Sequence, residues 1–542
     1  MTAPLEADAL IIGAGHNGLV CAAYLAAKGV SVRMLERRDI VGGAAVTEEF
    51  HPGFRNSTAS YTVSLLHPRI IAELNLAAHG LRIVLRPLSN FLPLPDGDYL
   101  KVGGGLAATQ AEVARHSRRD AEALPAYGER LERIAAVLRD LVLTTPPNVG
   151  GGLHDVLQAW RSAKRFKALD MQDRRDVLDI FTMSAADWLE RWFESEPIKA
   201  CLGFDSVVGN FASPYAQGTA YVLLHHVFGE VNGNRGAWGH AIGGMGAITE
   251  AMAAEARARG VMIDTGVAVA RVRIDAAGRA SGVVLENGEE IAAKIVIGNV
   301  TPRVLLMQMI DADTRSRYGL DRFAHYQSES ATLRMNVALS ELPDFSALPN
   351  AGAAPAPHHG SGIILAPTLA YMERAYVVAR ANGWSEAPIV EVLIPSTLDS
   401  TLAPAGSHVA SLFCQHFRYA LPNGIQWDSV HERVRERAAD SAIATVTRFA
   451  PNFGRSIIAR QIHTPLDLER KFGLTGGDIF HGKLSLNQLF SARPALGNAD
   501  YRMPVPRLYL CGSGAHPGGG VTGAPGYNAA REVLRDRRRW NV

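Results

Sequence analysis

A glycine-rich turn between an apolar strand and a helix, near the start of the chain, limits the fold most strongly. Residues 9–12 (ALII) form an apolar run that predicts a buried strand. A G-x-G-x-x-G motif follows at once over 13–18, and small apolar residues then recur at helical spacing over 19–26. This strand–turn–helix context is the one in which the motif binds a dinucleotide. We therefore expect a nucleotide-binding α/β unit at this end of the chain.

Each position of the turn has a physical role in binding a pyrophosphate. Gly13 permits the tight turn, Gly15 lets the anion approach the backbone, and Gly18 lets helix and strand pack closely. His16 and Asn17 open the helix, where exposed N–H groups and the helix dipole favour an anion. These five residues are the first candidate cofactor contacts.

A carboxylate and a second glycine pair follow the next predicted strand, 30–35 (VSVRML). The carboxylate ends that strand in reach of ribose hydroxyls, and it disfavours NADP because it repels a 2′-phosphate. The glycine pair offers a second close backbone approach, which suits a longer cofactor with two heads. The candidate residues of this segment are Glu36, Arg37, Gly42, Gly43 and Ala44.

A second strand–glycine loop–helix unit lies at the far end of the chain. A strand pattern at 507–511 leads into 512–521 (GSGAHPGGGV), and a helical composition follows at 526–534. Such a loop lets backbone pack against a planar or phosphorylated ligand. Its candidate contacts are Gly512, Gly519, Gly520 and Val521. His516 is the candidate catalytic residue, as a proton carrier or hydrogen-bond partner, and the alternative is that it fixes the loop.

These segments resemble the flavoprotein superfamily of amine oxidases and phytoene desaturases. The strings at 14–20 (AGHNGLV), 42–49 (GGAAVTEE) and 510–521 (LCGSGAHPGGGV) are similar to those of the pyridine nucleotide-disulfide oxidoreductase domain-containing protein 2 family. They are a little less similar to FAD-dependent β-carotene ketolases. The resemblance implies FAD as cofactor, with the C-terminal loop beside the isoalloxazine. It also implies that Val269 pairs its backbone with the adenine, although core packing explains that valine equally well.

The separated cofactor segments predict a discontinuous fold. We expect an α/β protein with a Rossmann-type FAD-binding domain formed by 1–105, 235–310 and 455–542. An inserted substrate domain of helices and an antiparallel sheet would comprise 106–234 and 311–454. Within the first insert, helical patterns cover 107–143 and 157–193.

Charge and cysteine usage exclude several classes of function. The 55 basic and 53 acidic residues nearly balance, which argues against a nucleic-acid binder. Cys21, Cys201, Cys414 and Cys511 are far apart in the chain, so they form neither a CxxC redox pair nor a local zinc knuckle. We therefore reject the disulfide reductase chemistry that the name of this family implies. Histidine spacing also predicts no metal site.

The function predicted is an FAD-dependent oxidoreductase that takes a hydride at flavin N5 from a small, lipophilic and largely apolar substrate, with unsaturation as one option. Two alternatives stay open: a carotenoid ketolase or desaturase, and a flavin-bound regulatory protein with little turnover. We expect a cytoplasmic protein, with a dimer as one option for its oligomeric state. Residues 160–167 (WRSAKRFK) leave peripheral membrane contact open, and a solvated helix face is the alternative.

Overall fold

The computed structural model describes residues 5–167, 169–431 and 433–541. The helices are α1 (His16–Ala26), α2 (Pro68–Glu73), α3 (Leu106–Ala114), α4 (Arg118–Val142), α5 (Leu153–Lys167), α6 (Met171–Thr182), α7 (Ala185–Glu190), α8 (Glu196–Gly203), α9 (Thr219–Val227), α10 (Gly246–Ala258), α11 (Ala312–Tyr318), α12 (Leu369–Asn382), α13 (Val434–Phe449), α14 (Phe453–Ser456), α15 (Pro465–Phe472), α16 (Ala524–Arg535) and α17 (Arg537–Trp540). The strands are β1 (Leu5–Ile12), β2 (Val32–Leu35), β3 (Thr47–His51), β4 (Phe54–Ser57), β5 (Ile83–Leu85), β6 (Asn90–Pro93), β7 (Tyr99–Val102), β8 (Glu230–Val231), β9 (Asn234–Arg235), β10 (Gly239–Ala241), β11 (Met262–Asp264), β12 (Val269–Ile274), β13 (Ala280–Leu285), β14 (Glu290–Gly298), β15 (Thr332–Leu339), β16 (Gly362–Leu365), β17 (Trp384–Leu393), β18 (His408–Phe417), β19 (Ile457–His463) and β20 (Leu508–Leu510).

The first sheet joins strands from both ends of the chain. Its order is β11-β2-β1-β14-β13-β12, with β20 also paired to β14. β1 runs parallel to β2 and β14, so that Ile11 lies opposite Met34 on one side and Ile297 on the other. All three side chains are buried. A parallel sheet covered on both faces needs such continuous apolar strands, and the expected Rossmann-type unit is therefore confirmed.

The second sheet has the order β19-β15-β18-β17-β16-β6-β7. Its pairs are antiparallel except for β16 and β6, which run parallel. One face is apolar and packs with α13 in a single buried cluster. The mixed α/β architecture agrees with the fold class predicted, including the inserted sheet.

The sheets do not follow the predicted domain limits at every point. β6, β7 and β19 belong to the second sheet, although the predicted cofactor domain includes 1–105 and 455–542. Pairing follows free strand edges in space, and the sequence does not reveal which edge a short strand will find. The outermost limits, at 1 and 542, lie outside the described residues.

The helical patterns of the first insert are each divided by short polar caps. The stretch 107–143 becomes α3 and α4, because the Ser117 side chain accepts a hydrogen bond from the Asp120 backbone N–H and starts a new helix. The stretch 157–193 becomes parts of three helices, α5 to α7. Asp170 and Ser184 cap the second and third of these in the same way.

Across the described parts of the chain, none of the helices has both the length and the apolar character needed to cross a bilayer.

Candidate cofactor and active site

The N-terminal glycine turn packs as tightly as its motif requires. Gly13 has φ +93°, and its N–H donates to the Leu35 carbonyl at the end of β2. A Cβ at position 18 would lie 2.6 Å from the Gly13 carbonyl oxygen. Any larger residue at 18 would therefore push α1 away from β1.

The second glycine pair lies directly against this turn. The Gly42 N–H donates to the Ala14 carbonyl over 2.8 Å, and Gly15 forms a bridge with Gly42. Gly43 has φ +59°, and a Cβ there would lie 3.2 Å from the Gly15 Cα. Two stretches of bare backbone thus meet at one place, as a cofactor with two phosphates requires.

Glu36 is held in a fixed orientation at the end of β2. Its carboxylate accepts the Ala14 N–H at 2.8 Å and the Arg38 N–H at 3.0 Å, and the residue is 6% exposed. The Arg37 guanidinium instead reaches the Arg470 carbonyl, 2.8 Å away. Both residues line the same cavity, so we propose Glu36 for the ribose hydroxyls.

The far C-terminal loop closes on the N-terminal one. The Asn17 amide Nδ2 donates to the Ser513 hydroxyl over 3.0 Å. α16 packs on α1 so closely that a Cβ at Gly526 would lie 2.1 Å from the Asn17 carbonyl oxygen. The two glycine loops, almost 500 residues apart, therefore form one site.

A cavity of about 380 Å³ runs between these loops. The predicted residues that line it are Gly13, Gly15, His16, Asn17, Glu36, Arg37, Gly43, Ala44 and Val269. The lining does not include the other predicted contacts, namely Gly18, Gly42, Gly512, Gly519, Gly520 and Val521. Their contact with the cofactor stays a prediction.

The wall near Val269 consists of backbone that continues the ribose side of the cavity. The Val267 N–H donates to the Glu36 carbonyl at 2.8 Å, and the run 267–270 lines the cavity. This arrangement supports the prediction that Val269 lies beside an adenine.

Several lining residues are not predicted by the motifs. The Asn299 amide donates to the carbonyls of Gly13 and Gly15 at 3.1 and 3.3 Å and so supports the turn. It directly follows β14, and polar residues at carboxyl ends of parallel strands are a usable signal. His481 and Phe472 also line the cavity, and no local motif marks them.

Unsatisfied polar atoms at the cavity fit a bound cofactor. His16 Nε2, Asn17 Oδ1 and His481 Nδ1 are buried and have no hydrogen-bond partner in the described parts of the chain. Burial lowers the pKa of His16 to about 4 and that of His481 to about 3, so both rings are neutral at pH 7. Buried polar atoms normally have partners, and an elongated polar ligand would supply them here.

His516 lies apart from this lining. Its Nε2 is 3.0 Å from the Leu141 carbonyl oxygen, so that the nitrogen carries the proton and donates it. Burial lowers the pKa of the ring to about 4. The Tyr501 hydroxyl donates to the His516 carbonyl over 2.8 Å. These contacts favour an anchor for the glycine loop, and a catalytic role stays a prediction.

The cysteines do not provide redox chemistry in this arrangement. All four are buried and free. Burial raises the pKa of Cys414 to about 12, and burial beside the Cys21 thiol raises that of Cys511. Thiols in such surroundings are poor nucleophiles. Within the described ranges, three or more His, Cys, Asp or Glu side chains do not gather into a metal-binding group.

The fold and the paired glycine loops define a flavin-dependent oxidoreductase whose cofactor is FAD. More particularly, the chain belongs to the flavin-containing amine oxidoreductase family, since residues 18–321 match the family described as "Flavin containing amine oxidoreductase".

Individual relatives support this assignment. The chain is 43% identical to "Pyridine nucleotide-disulfide oxidoreductase domain-containing protein 2" of Rattus norvegicus, over 98% of this chain and 94% of the relative. It is 25% identical to "Phytoene desaturase (neurosporene-forming)" of Cereibacter sphaeroides, over 98% and 94%. A crystal structure of an oxidoreductase from Methanosarcina mazei covers 97% of this chain and 99% of its own, with TM-score 0.57 at 16% identity. That likeness shows the same fold.

Proposed function

We propose that the protein oxidises a largely apolar substrate by taking a hydride from it at flavin N5. The observation that carries this proposal is the apolar wall against the C-terminal glycine loop. A Cβ at Gly519 would lie 2.8 Å from the Phe480 Cα, and one at Gly520 would lie 2.5 Å from a Leu65 methyl carbon. Phe480 belongs to a small buried cluster with Val222, Leu484 and Leu489. A lipophilic substrate placed there would touch the loop that we assign to the flavin.

The protein's own groups would orient the substrate and move its proton. FAD, when bound, supplies the two-electron acceptor, so that a C–H bond of the substrate gives up a hydride and an adjacent site gives up a proton. His225 is placed to accept a hydrogen bond from the substrate, and it would pass a proton on rather than hold it, because burial lowers its pKa well below the ordinary value. It is 1% exposed, its Nδ1 has no hydrogen-bond partner among the described residues, and its Cε1 lies 3.5 Å from a Cβ placed on Gly520.

A narrower version of this proposal is a carotenoid or other polyene substrate. The similarity to a phytoene desaturase favours it. The apolar wall suits a polyene and a saturated lipophile equally, so the general statement stands as the proposal.

Anaerobic reduction of the bound flavin tests the proposal. Holoenzyme is mixed under anaerobic conditions with a panel of lipophilic alcohols, amines, acids and polyenes, and the long-wavelength flavin band is followed. We expect at least one compound to bleach the band within seconds to minutes. Phe480→Asp, in which the wall is charged, should retain FAD and lose this reaction. If dithionite bleaches the flavin but no compound of any class does so, a regulatory protein with little turnover is the better description.

We also propose that α5 contacts an anionic membrane surface. Its exposed apolar side chains are Leu153, Val156, Leu157 and Trp160, which are 56–83% exposed. Lys164 lies 5.7 Å from the centre of the Trp160 ring, and Arg161 and Lys167 follow the same helix. Apolar and basic residues together on one exposed helix are typical of a helix that lies in a lipid headgroup region.

A further inference from the structure

A group of ionisable side chains lies where the second sheet faces the cofactor side of the molecule. Its members are Tyr61, Arg86, Asp205, Arg334 and Glu391, called here the arginine–carboxyl cluster. They come from the segment after β4, the segment after β5, the turn after α8, and strands β15 and β17. Tyr61 stands at the end of a polar string at 57–61, which the motifs of the cofactor site leave unexplained.

The cluster is separated from the cofactor cavity by a single stretch of chain. Ala44 lines that cavity, and its carbonyl accepts the Ser60 N–H at 3.0 Å. The next residue, Tyr61, donates its hydroxyl to Glu391 Oε2 over 2.6 Å. A ligand held at the cluster would therefore lie beside the loop that borders the flavin.

Among the described residues, neither guanidinium group is directly paired with a carboxylate, although Glu391 and Asp205 act on Arg86 from farther away. Arg334 is 1% exposed and donates to three neutral acceptors, the carbonyls of Ala59 and Leu412 and the Ser411 hydroxyl. Its Cζ lies 4.2 Å from the Tyr61 ring centre. Arg86 donates to the Thr62 hydroxyl. Among the side chains that the structure describes, neither has a carboxylate within 4.0 Å.

The two carboxyl groups also lack ion pairs to the side chains that the structure describes. Within the described residues, one oxygen of Glu391 accepts a hydrogen bond, from the Tyr61 hydroxyl, and the other oxygen accepts none. Asp205 has neither a hydrogen bond nor an ion pair to any side chain in the described ranges. Arginine keeps its charge in proteins, whereas a carboxyl group can be neutralised by a proton. The positive charge of the two guanidinium groups is therefore permanent, whereas the negative charge of the two carboxyl groups depends on their protonation.

Burial favours the neutral, protonated form of the two carboxyl groups. It raises the pKa of Asp205 to about 8, with repulsion from Glu391 adding to the shift, and it also raises the pKa of Glu391, although Arg86 opposes both shifts. A protonated carboxyl group becomes a hydrogen-bond donor. At neutral pH the cluster thus offers donors and excess positive charge.

We propose that the arginine–carboxyl cluster binds the carboxylate head group of the substrate, whose apolar body extends to the flavin. This inference rests on the proposed function and makes the substrate class a lipophilic acid. Tyr61, Arg86 and Asp205 each keep some accessible surface, so a head group can reach them. A bidentate guanidinium–carboxylate contact also fixes orientation, which a purely apolar wall cannot do.

Ligand binding to oxidised holoenzyme tests the head-group preference without requiring turnover. Decanoate, decylamine and decanol share one chain and differ only in the head. Each is titrated at pH 7 and read through the perturbation of the flavin absorption spectrum. We expect decanoate to bind at least tenfold more tightly than the other two. Tighter binding of decylamine would overturn the proposal, since it would mean that the carboxyl groups recognise a cation.

Substitutions assign the preference to the cluster. Arg86→Gln should weaken decanoate binding at least tenfold, with FAD content and melting temperature close to those of the unmodified protein, and Arg86→Lys should restore part of it. The matched control is Arg82→Gln at an exposed site four residues earlier, which should bind decanoate normally. Equal binding by the two glutamine variants would contradict the assignment. If Arg86→Gln loses FAD, the Lys variant alone decides, by its affinity relative to Arg82→Gln.

The pH dependence tests the role of Asp205. The ionisable groups that act on it are Glu391, Arg86, Tyr127 and Cys201, from β17, the segment after β5, α4 and α8. Binding of decanoate should weaken as the pH rises through about 8, because an ionised Asp205 repels it. Asp205→Asn should bind equally at pH 7 and pH 9. A variant curve parallel to that of the unmodified protein would show that Asp205 takes no part.

The outcomes separate this inference from the proposed function. If no compound bleaches the flavin but decanoate binds with the expected preference, the proposed hydride transfer is contradicted and the proposed head-group site is retained. If neutral polyenes bleach the flavin but decanoate binds no better than decanol, the proposed head-group site is contradicted and the proposed oxidoreductase activity is retained.

Discussion

At the scale of single residues, neutral imidazoles are the recurring polar element of the cofactor side. His16 and His481 line the cavity, whereas His516 turns its ring away to the Leu141 carbonyl. A burial that lowers the pKa this far prevents a histidine from holding a second proton near pH 7. For His516 the geometry therefore favours support of the loop over transfer of a proton.

Replacing His516 distinguishes support from catalysis. His516→Ala leaves the Leu141 carbonyl without its donor, which we expect to cost about 1–3 kcal/mol of stability and to lower FAD retention. His516→Gln keeps an N–H donor and should recover most of both, with an unchanged pH profile of flavin reduction. Thermal unfolding, flavin content and stopped-flow reduction are the measurements. The exposed His325→Ala is the control. Loss of reduction in His516→Gln at full stability would establish a catalytic residue instead.

The sequence predicts the residues whose role is local and misses those placed by long-range folding. Gly13, Gly15 and Glu36 act within one strand–turn–helix unit, so their spacing alone identifies them. Asn299 and His481 reach the same cavity from β14 and from a loop after α15. Their positions depend on how separate segments meet, which local spacing does not encode.

At the scale of elements, the limits of helices depend on single capping residues. The predicted stretches 107–143 and 157–193 are divided at Ser117, Asp170 and Ser184, each of which accepts a backbone N–H three residues on. Apolar periodicity continues across such a cap, because the pieces pack on the same core. Each cap has a signal in the sequence, namely a Ser or Asp with an acidic residue three positions later.

The exposed face of α5 predicts a measurable affinity for anionic lipid. We expect the protein to sediment with vesicles of phosphatidylcholine and phosphatidylserine, to bind much less to phosphatidylcholine alone, and to be released by salt. Leu157→Ser combined with Trp160→Ser should weaken binding at least fivefold, since both apolar side chains would be lost from the lipid boundary. Val430→Ser, at an apolar residue elsewhere that is even more exposed, is the control. If both variants bind like the unmodified protein, α5 is a solvated helix.

At the scale of the whole molecule, the glycine excess of the composition, 52 residues in 542, is explained in part by contact between distant segments. Gly15 and Gly42 touch across the cofactor loops, and Gly526 lets α16 lie on α1. The cavity wall therefore exists only when the beginning, middle and end of the chain have folded together. FAD bound there should stabilise the native state by mass action, since residues from all three line the cavity.

Buried neutral histidines make the whole molecule sensitive to acid. Burial lowers the pKa of His16, His226, His463 and His516 to about 4, and that of His416 to about 3, from 6.5. Below pH 6.5 these histidines therefore bind protons in the unfolded chain but not in the native state, and the free energy of unfolding decreases as the pH falls. His416 and His463 lie in the second sheet, and His16 opens α1 beside the first, so we expect both parts of the molecule to be weakened together. Asp205 and Asp478, whose pKa values are raised to about 8 and about 6, act in the opposite direction.

His416 is fully buried, and replacing it measures how much one buried neutral histidine contributes to the loss of stability in acid. Its ring packs between Phe211 and Tyr376, with centroids 5.4 and 5.6 Å away. Between pH 7 and pH 5 one such histidine should remove about 2 kcal/mol from the free energy of unfolding. In His416→Gln that loss should be smaller by about this amount, whatever the variant costs at pH 7. Urea denaturation of the holoenzyme at both pH values measures the difference, and the exposed His325→Gln should leave it unchanged. An identical pH dependence in His416→Gln would mean that acid acts through other groups.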